Sequence, residues 1–505
     1  MADGLRSFRE ELFATANLTK LRALGERRIL RRVLSGRDVL SIGLGAMIGG
    51  GIFTTIGPGV RMAGPAIIVA YLLAAAASFF SAFAYAELAS MVPIAGSAYT
   101  YAYATLGKLI AWIIGFALIF EYGVSGAPVA QQFSGAVQDM LRQGFGITTP
   151  YWMQRSHLII AGAWWNPSQW DLSHSQYDVI GAAFIIVLAA LLTIGIRETA
   201  SANNLFNVLK LSALAVFLVA GLTMMHPAHF AAFAPHGWGS LKPFSGGAGI
   251  GIIPAAALVF FNYIGFDSTT TVSEECRNPQ RDLPFGVIGS LAIGTVIYCA
   301  VAIVLIGAVP WQQVDETHAL ARAVEPLHNV FVNWAIIVGV LAGTASVAIS
   351  SVLGQTRIFY VMARDKMLPP AFATVNRRFK TPMRMTVLVG VGIAILTLIV
   401  PLDNLLNLVN IGTLLAFVVV CAGVIYLRYK RPDIPRTYRS PFVPWFPLTG
   451  IFFCTFLAVY GLDRPTWIWF VGALAVGLVL FFLYGFRMSN PDDIVPVEEP
   501  ESLLE

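Results

Sequence analysis

Two apolar stretches of this 505-residue chain, near 38–60 and 248–272, are each interrupted by residues that break helices. The first contains three consecutive glycines at 49–51, and each glycine weakens a helix by roughly 1 kcal/mol relative to alanine. The second opens with several glycines and Pro254 before it becomes aromatic. Backbone groups freed inside a bilayer must find partners in protein, water or a ligand. Two spans broken at corresponding places in two halves of a chain indicate the binding site of a transporter.

Each break offers a specific chemistry to a ligand. A helix that resumes after Gly50 and Gly51 presents free N–H groups and a positive dipole end, which suit a carboxylate. Carbonyls left unpaired at the ends of the preceding segments suit an ammonium, so together the breaks can hold both ends of an α-amino acid. The alternative is that the glycines serve only close helix packing. The candidate binding residues are Met47, Ile48, Gly50, Gly51, Ile52, Phe261, Asn262, Ile264 and Glu121.

An ionisable residue inside an apolar span indicates a functional site, because burying such a residue is costly. Glu121 lies roughly 18 Å into the third span, near the midplane, with a hydrogen-bonded structural carboxyl as the alternative. Lys210 lies roughly 10 Å into the fifth span, a depth from which a lysine can also snorkel to the surface. Asp267 follows the second break and can simply cap the resumed helix. Glu87 lies near a cytosolic helix end, where a gating role or an interfacial role is equally compatible with its position.

Aromatic residues surround the two breaks, although most aromatics in a membrane bundle serve packing. We expect Phe260 and Phe261 to cover the substrate, with Phe260 acting as a gate. Asn262 is more informative, because a buried amide at an unwound position needs a partner. It can contact a substrate side chain or satisfy loose backbone.

Composition indicates an all-α integral membrane protein. Hydrophobic residues make up 57% of the chain and charged residues 12%, against about 25% charged in soluble domains. About twelve apolar runs are long enough to cross a bilayer, and an even number places both termini on one side. A cytosolic N-terminus leaves most Lys and Arg inside, as the positive-inside rule requires. The expected organisation is a basic cytosolic tail (1–37), two groups of five spans (38–224 and 248–427), two further spans (443–486) and an acidic cytosolic tail (487–505).

Other classes of function find little support in the composition. The net charge of +5 is explained by topology and requires no nucleic-acid partner. Four cysteines at irregular spacing indicate neither a disulfide framework nor a metal site, and no cofactor is expected. No His or Cys constellation has catalytic spacing, so we do not expect an enzyme. The start of the chain lacks the features of a cleavable signal peptide.

Four motifs resemble the APC superfamily of amino acid permeases, and within it the bacterial members of the cationic amino acid transporter family. The first covers 45–53, and the second combines 85–88 with Pro93, Gly96 and Tyr99. The third covers 261–267 and continues into Glu274, Glu275, Asn278, Pro279 and Pro284. The fourth combines 354–357 with Met362, Arg364, Asp365 and Pro369.

This resemblance implies twelve transmembrane helices in a leucine-transporter-like fold, with a 5+5 inverted repeat and discontinuous spans 1 and 6. It implies alternating access by a bundle of spans 1, 2, 6 and 7 in a bacterial inner membrane. It also implies that Lys210 occupies the place of a sodium ion, beside carbonyls of span 1 and a hydroxyl of span 8 for which Ser346 is the candidate. Proton coupling is therefore assigned to Lys210, Ser346 and Glu121, without sodium.

Two departures from the family pattern affect the substrate. Gly50 stands where many relatives have Ser or Thr, and Asn262 stands where Ala or Ser is common. We expect an L-amino acid, neutral or cationic, carried with protons across the lipid bilayer. An amino acid exchanger or a polyamine carrier is the alternative within transport, and a non-transporting amino acid sensor is the alternative outside it. A polyamine has no carboxylate and would leave the N–H groups after Gly50 unused.

Overall fold

The computed structural model describes residues 11–15, 34–91, 97–160, 170–194, 196–246, 249–316, 318–374, 376, 382–432, 434, 436 and 438–489. Most of both tails, expected to be cytosolic, lies outside the described residues, as do Pro93 and Gly96. Helices make up nearly all of the regular structure, with one antiparallel hairpin of β1 (His157–Ile160) and β2 (Trp170–Gln176). The observed class is therefore the expected one.

The α-helices within the described residues fall into two parts of the chain. Those of the first part are α1 (Gly36–Met47), α2 (Gly50–Ala63), α3 (Ile67–Met91), α4 (Ser97–Thr105), α5 (Lys108–Leu118), α6 (Ser125–Phe145), α7 (Val179–Ile194) and α8 (Ile196–Leu222). Those of the second part are α9 (Ile252–Val259), α10 (Pro279–Ala308), α11 (Ala319–Val324), α12 (Val330–Arg364), α13 (Met383–Ile399), α14 (Leu402–Lys430), α15 (Trp445–Phe456), α16 (Arg464–Leu480) and α17 (Phe486–Met488).

Among the described residues, eight helical stretches are long and apolar enough to cross a membrane, and three shorter apolar helices accompany them. One of the four expected spans that are not counted is lost because α2 runs through a 3₁₀ turn (Gly64–Ala66) into α3, which makes one continuous stretch, Gly50–Met91. The other three correspond to the shorter apolar helices. The tight turn expected around 401–403 is present, because α13 ends at Ile399 and α14 begins at Leu402.

Both expected helix breaks are present. Between α1 and α2, Ile48 is extended and Gly49 precedes the resumed helix. After α9 the chain tightens into a 3₁₀ turn (Phe260–Tyr263), becomes extended at Ile264 and passes through Gly265 with φ +113°. The second segment then resumes as a 3₁₀ helix, Phe266–Glu275. The hydroxyls of Ser268, Thr269 and Thr270 each donate to the carbonyl three residues earlier, and such local bonds compete with the α-helical backbone pattern.

Close helix pairs join the first part of the chain to the second. Helix α2 packs on α9, α3 on α10, α6 on α12 and α7 on α13. The approaches are close where glycine replaces a side chain: a Cβ at Gly390 of α13 would lie 2.4 Å from the Ala189 Cβ of α7. Small residues bring membrane helices into van der Waals contact in this way. The two broken segments consequently lie at the centre of the bundle.

Candidate functional site

The first break opens on a small central cavity. Helix α2 begins at Gly50 with no side chain capping its N-terminus, so the N–H groups of its first turn have no partner within the helix. Gly51 lies in the wall of the cavity. The second break forms the facing wall, and a Cβ at Gly265 would lie 2.9 Å from the Ala46 carbonyl oxygen. The cavity is lined by Ala46, Met47, Gly51, Tyr122, Ser125, Phe261, Ile264, Gly265, Ser268, Val347, Ser350 and Ser351.

Four of the expected binding residues therefore reach the cavity, namely Met47, Gly51, Phe261 and Ile264. Ile48 and Ile52 are fully buried next to it. Gly50 packs against α6, since a Cβ there would lie 2.5 Å from the Val129 Cγ2. The backbone of these three residues remains close to the site, but their side-chain positions do not form its wall.

A tyrosine that the sequence analysis missed joins the two breaks. The Tyr298 hydroxyl of α10 lies 2.9 Å from the Met47 carbonyl oxygen and 2.8 Å from the Asn262 carbonyl oxygen. The single phenolic hydrogen can be donated to only one of these carbonyls at a time, so Tyr298 bridges the two breaks while the Met47 carbonyl oxygen keeps acceptor capacity. A tyrosine in an apolar helix gives no positional signal in sequence, because it equally serves packing or the membrane interface.

Asn262 is satisfied inside the protein and does not line the cavity. Its Oδ1 accepts from the Thr55 hydroxyl at 2.8 Å, and its Nδ2 donates to the Tyr71 hydroxyl at 2.9 Å. Neither partner is loose backbone, which was the expected alternative to substrate contact. The amide instead ties the unwound second segment to α2 and α3 through two hydroxyls. The assignment of its side chain to substrate contact is corrected accordingly. Thr55 and Tyr71 were also missed by the sequence analysis.

Lys210 is fully buried in α8. Its Nζ donates to the Gly45 carbonyl oxygen of α1 and lies 3.3 Å from the Ser346 hydroxyl of α12. The Asn207 amide, one turn earlier, completes the cluster, because a Cβ at Gly45 would lie 2.6 Å from its Nδ2. The neighbours expected for Lys210 are thus the observed ones, and snorkelling is ruled out by this geometry. Its role in proton coupling stays a prediction.

Glu121 occupies a π-helical turn (Ile119–Val124) between α5 and α6. It is fully buried, and neither of its oxygens has a hydrogen-bond partner among the described residues. Its electrostatic neighbours are Asp267 and Thr413. Glu121 itself does not line the cavity, whereas the adjacent Tyr122 does, and the Tyr122 hydroxyl donates to Asp267. In this structure Glu121 does not reach the substrate cavity. Tyr122 connects the cavity to Asp267, which is a neighbour of Glu121.

Asp267 holds the second break in shape. Its Oδ1 accepts from the Gly265 N–H at 3.3 Å. This contact lies within the break and not in the first turn of the resumed helix, so helix capping by Asp267 stays a prediction. Its Oδ2 accepts from Tyr122 and lies 3.4 Å from the Ser97 hydroxyl. A second buried carboxyl therefore lies between the cavity and Glu121.

The two expected gating residues lie in different surroundings. Phe260 is buried against Phe417 of α14, with ring centroids 5.7 Å apart, and it does not line the cavity. Its neighbour Phe261 supplies the aromatic ring at the cavity. Glu87 lies at the end of α3, where its two oxygens each accept from Arg428 at 2.9 Å and one also accepts from the Ser440 N–H. Gating by either residue stays a prediction.

The sequence that forms this bundle matches one family of proteins. The family model for amino acid permeases matches residues 34–484. This chain belongs to the amino acid permease family. The expected resemblance is thereby confirmed, and the matched region includes both breaks and every expected site residue.

The sequence similarity to three relatives extends over most of this permease. It is 37% identical to the branched-chain amino acid permease BcaP of Bacillus subtilis (strain 168), over 91% of this chain and 94% of that protein. It is 36% identical to the methylthioribose transporter of the same organism, over 95% of this chain and 98% of that protein. It is 32% identical to the vacuolar cationic amino acid transporter 4 of Arabidopsis thaliana, over 81% and 66% of the two chains. Relatives named for transport agree with the expectation of a non-enzyme.

Proposed function

We propose that this permease is a secondary active transporter that takes up neutral L-amino acids together with protons and without sodium. The uncapped N-terminus of α2 at the central cavity is the observation that carries the proposal. Its free N–H groups suit the carboxylate that all amino acids share. Permeases for amino acids among the relatives support the same substrate class.

The cavity favours an uncharged substrate side chain. No charged side chain lines it among the described residues. Phe261, Ile264 and Val347 form an apolar part of the wall, and a cationic side chain placed there would lack a counter-ion, at a high cost in desolvation. The hydroxyls of Ser125 and Ser351, 3.0 Å apart, form a polar part that can bind the substrate ammonium. We therefore favour a neutral amino acid over arginine or lysine.

The architecture proposed for transport is twelve spans in a 5+5 inverted repeat. Close pairs of α2 with α9, α3 with α10, α6 with α12 and α7 with α13 support it, because each joins one span to the span five positions later. Alternating access would move the bundle of spans 1, 2, 6 and 7 against the remainder. The proposed location is a bacterial inner membrane with both termini cytosolic.

The cavity is too small for an amino acid in this structure. Its volume is ≈ 30 Å³, room for only a few water molecules. On the proposed outer side, the loop at 315–316 packs onto α2, since a Cβ at Gly57 would lie 2.5 Å from its carbonyls. The His318 ring of the same loop lies 2.6 Å from the Asp139 carboxylate of α6. A substrate therefore needs the cavity to enlarge, and we expect movement of α2 and this loop to enlarge it.

Proton coupling is assigned to Lys210. A protonated ammonium would tie α8 to the Gly45 carbonyl of α1 and to Ser346 of α12, and would favour the substrate-ready bundle. Loss of the proton toward the cytosol would remove that tie and favour release. Because the Lys210 cation occupies the place that a sodium ion would fill, uptake should need no sodium.

Three alternatives remain distinguishable by experiment. Exchange would appear as transport that requires substrate on both sides, and a sensor would bind without transporting. A polyamine carrier would leave the N–H groups of α2 unused. One relative is a methylthioribose transporter, so methylthioribose, which has no carboxylate, is also tested as a competing ligand.

Uptake into proteoliposomes tests the proposal directly. In sodium-free buffer with an inward proton gradient, radiolabelled leucine, valine and alanine should accumulate, and arginine, spermidine and methylthioribose should neither accumulate nor compete. Accumulation should collapse with a protonophore. Sodium-dependent uptake, or competition by methylthioribose at the same concentration as leucine, would contradict the proposal.

Glu121→Gln should change the pH dependence of transport more than expression. The substitution keeps the size of the side chain but removes a carboxyl that neighbours Asp267, the partner of Tyr122 at the cavity. We expect the pH profile of uptake to shift while folded yield stays within about twofold of wild type. The measurement is uptake of a panel of amino acids between pH 5 and 8. An unchanged profile and preference would make Glu121 a structural carboxyl only.

A further inference from the structure

A groove at one end of α10 has polar and apolar walls and lies apart from the central cavity. It is lined by Gln280, Arg281, Pro284, Phe285, Ile288 and Gly289 of α10, and by Tyr438 from the segment after α14. Its volume is ≈ 520 Å³, against ≈ 30 Å³ for the central cavity. The two sites share no lining residue, so the groove is separate from the substrate site.

The polarity of the groove changes along its length. Gln280, Arg281 and Tyr438 lie at the end where α10 begins, whereas Phe285, Ile288 and Gly289 lie deeper. At 1.5 Å per residue, the groove follows α10 for about 13 Å. In the proposed orientation the polar end faces the cytosol. A ligand that matches must therefore be amphiphilic, with a polar head at the water boundary and an apolar body inside the bilayer.

The charge at the polar end favours an anionic head. The Arg281 side chain is exposed, and within the described part of the chain it makes no hydrogen bond or ion pair. The acids at this end are engaged: Asp282 accepts from the Asn278 N–H at 3.0 Å. Glu87, which neighbours Tyr438, accepts from Arg428 through both of its oxygens. Lipids of the cytosolic leaflet are the anionic amphiphiles that such a boundary encounters.

Tyr438 adds a neutral donor to the same end. Its burial and the neighbouring Glu87 carboxylate raise the pKa of Tyr438 to about 12. The phenol therefore keeps its proton at physiological pH and can donate to a phosphate oxygen. A phosphate beside a guanidinium and a phenol receives the charge-assisted hydrogen bonds that such groups bind most strongly.

We propose that this groove is a binding site for an anionic phospholipid of the cytosolic leaflet, with its phosphate at Arg281 and Tyr438 and one acyl chain along Phe285 and Ile288. The lipid would also lie against α1. A Cβ at Gly36 would lie 3.2 Å from the Phe285 ring, and one at Gly289 would lie 2.9 Å from the Leu40 side chain. The bound chain would thus flank the half-helix that precedes the first break.

Native mass spectrometry of the purified full chain tests the site without any transport measurement. Wild type is equilibrated with equal amounts of phosphatidylglycerol and phosphatidylethanolamine, and retained lipids are counted. We expect preferential retention of phosphatidylglycerol. Arg281→Gln should weaken that retention about fivefold, the effect of roughly one cationic residue near a membrane surface.

Two variants and one competitor make the test specific. Arg487→Gln removes another exposed arginine, in α17, and should retain phosphatidylglycerol as wild type does. Ile288→Trp should fill the apolar part of the groove and reduce retention although Arg281 is intact. Equal retention of the two lipids by wild type, or equal losses in Arg281→Gln and Arg487→Gln, would overturn the proposal. Displacement of phosphatidylglycerol by excess inorganic phosphate would also overturn it, by showing a site for free anions. Because binding is measured directly, these outcomes do not depend on the substrate or on proton coupling.

Discussion

Gly51→Val is expected to abolish substrate binding and uptake while the protein stays folded and inserted. A Cβ at Gly51 would lie 2.6 Å from the Asn262 Oδ1 and 2.8 Å from the Asn262 Cα. The second contact is to backbone, so the added side chain must push the two breaks apart. Loss of two charge-assisted hydrogen bonds to the carboxylate would weaken binding by about 100-fold or more. Radioligand binding and proteoliposome uptake measure the effect.

Gly50→Ala is the matched control for this prediction. The three atoms nearest to a Cβ at Gly50 all belong to the Val129 side chain of α6, and a valine methyl can shift at a cost of about 1–3 kcal/mol. We expect Gly50→Ala to lower stability while measurable binding remains. Size-exclusion profiles and circular dichroism should show Gly51→Val to be folded. Near-normal uptake by a folded Gly51→Val protein would remove the α2 backbone from the binding site.

Lys210→Met is expected to remove the pH response of transport. Wild-type uptake should strengthen as the outside pH falls, because protonation of Lys210 restores its contacts with Gly45 and Ser346. Methionine keeps the length and apolar stem but has no charge to gain or lose. Loss of one charged hydrogen bond changes an equilibrium by about 10- to 100-fold. We therefore expect net uptake to fall by at least about tenfold while exchange survives better.

Ser346→Ala distinguishes the effect of the Lys210 charge from the effect of its hydroxyl partner. That variant keeps the Lys210 cation and its bond to the Gly45 carbonyl but removes the hydroxyl 3.3 Å away. Its pH response should persist with a shifted midpoint. Uptake and counterflow should be measured side by side in sodium-free buffer between pH 5 and 8. An intact pH response in Lys210→Met would reject this lysine as the coupling site.

The two helix breaks and the lysine within a span could be predicted because each is visible in a few neighbouring residues. Consecutive glycines and a charged residue are unusual within an apolar run, because a bilayer makes both costly. The number of membrane-crossing helices was harder to predict. Apolar runs do not show where a helix continues through a turn, as from α2 into α3, nor where a segment resumes as a 3₁₀ helix, as after Gly265.

Side-chain partners were the least predictable part of the site. Tyr298 joins the breaks from 36 residues beyond Asn262, and Thr55 reaches Asn262 across 207 residues. Tyrosines and threonines are common in apolar helices, so nothing local distinguishes these from packing residues. The same holds for Phe260 and Phe261, where adjacent rings face different surroundings.

The amino-acid sequence by itself determined the class of the protein, the two places where its helices break and the presence of a lysine within an apolar span. Those features follow from composition and from backbone chemistry in lipid, which act over a few residues. Only the tertiary structure decided which groups meet at the breaks. It directs Asn262 into the protein, places Glu121 beside Asp267 and brings Lys210 to the Gly45 carbonyl. The physical reason is that these contacts depend on the rotation and depth of whole helices, which are set by packing against helices distant in the chain.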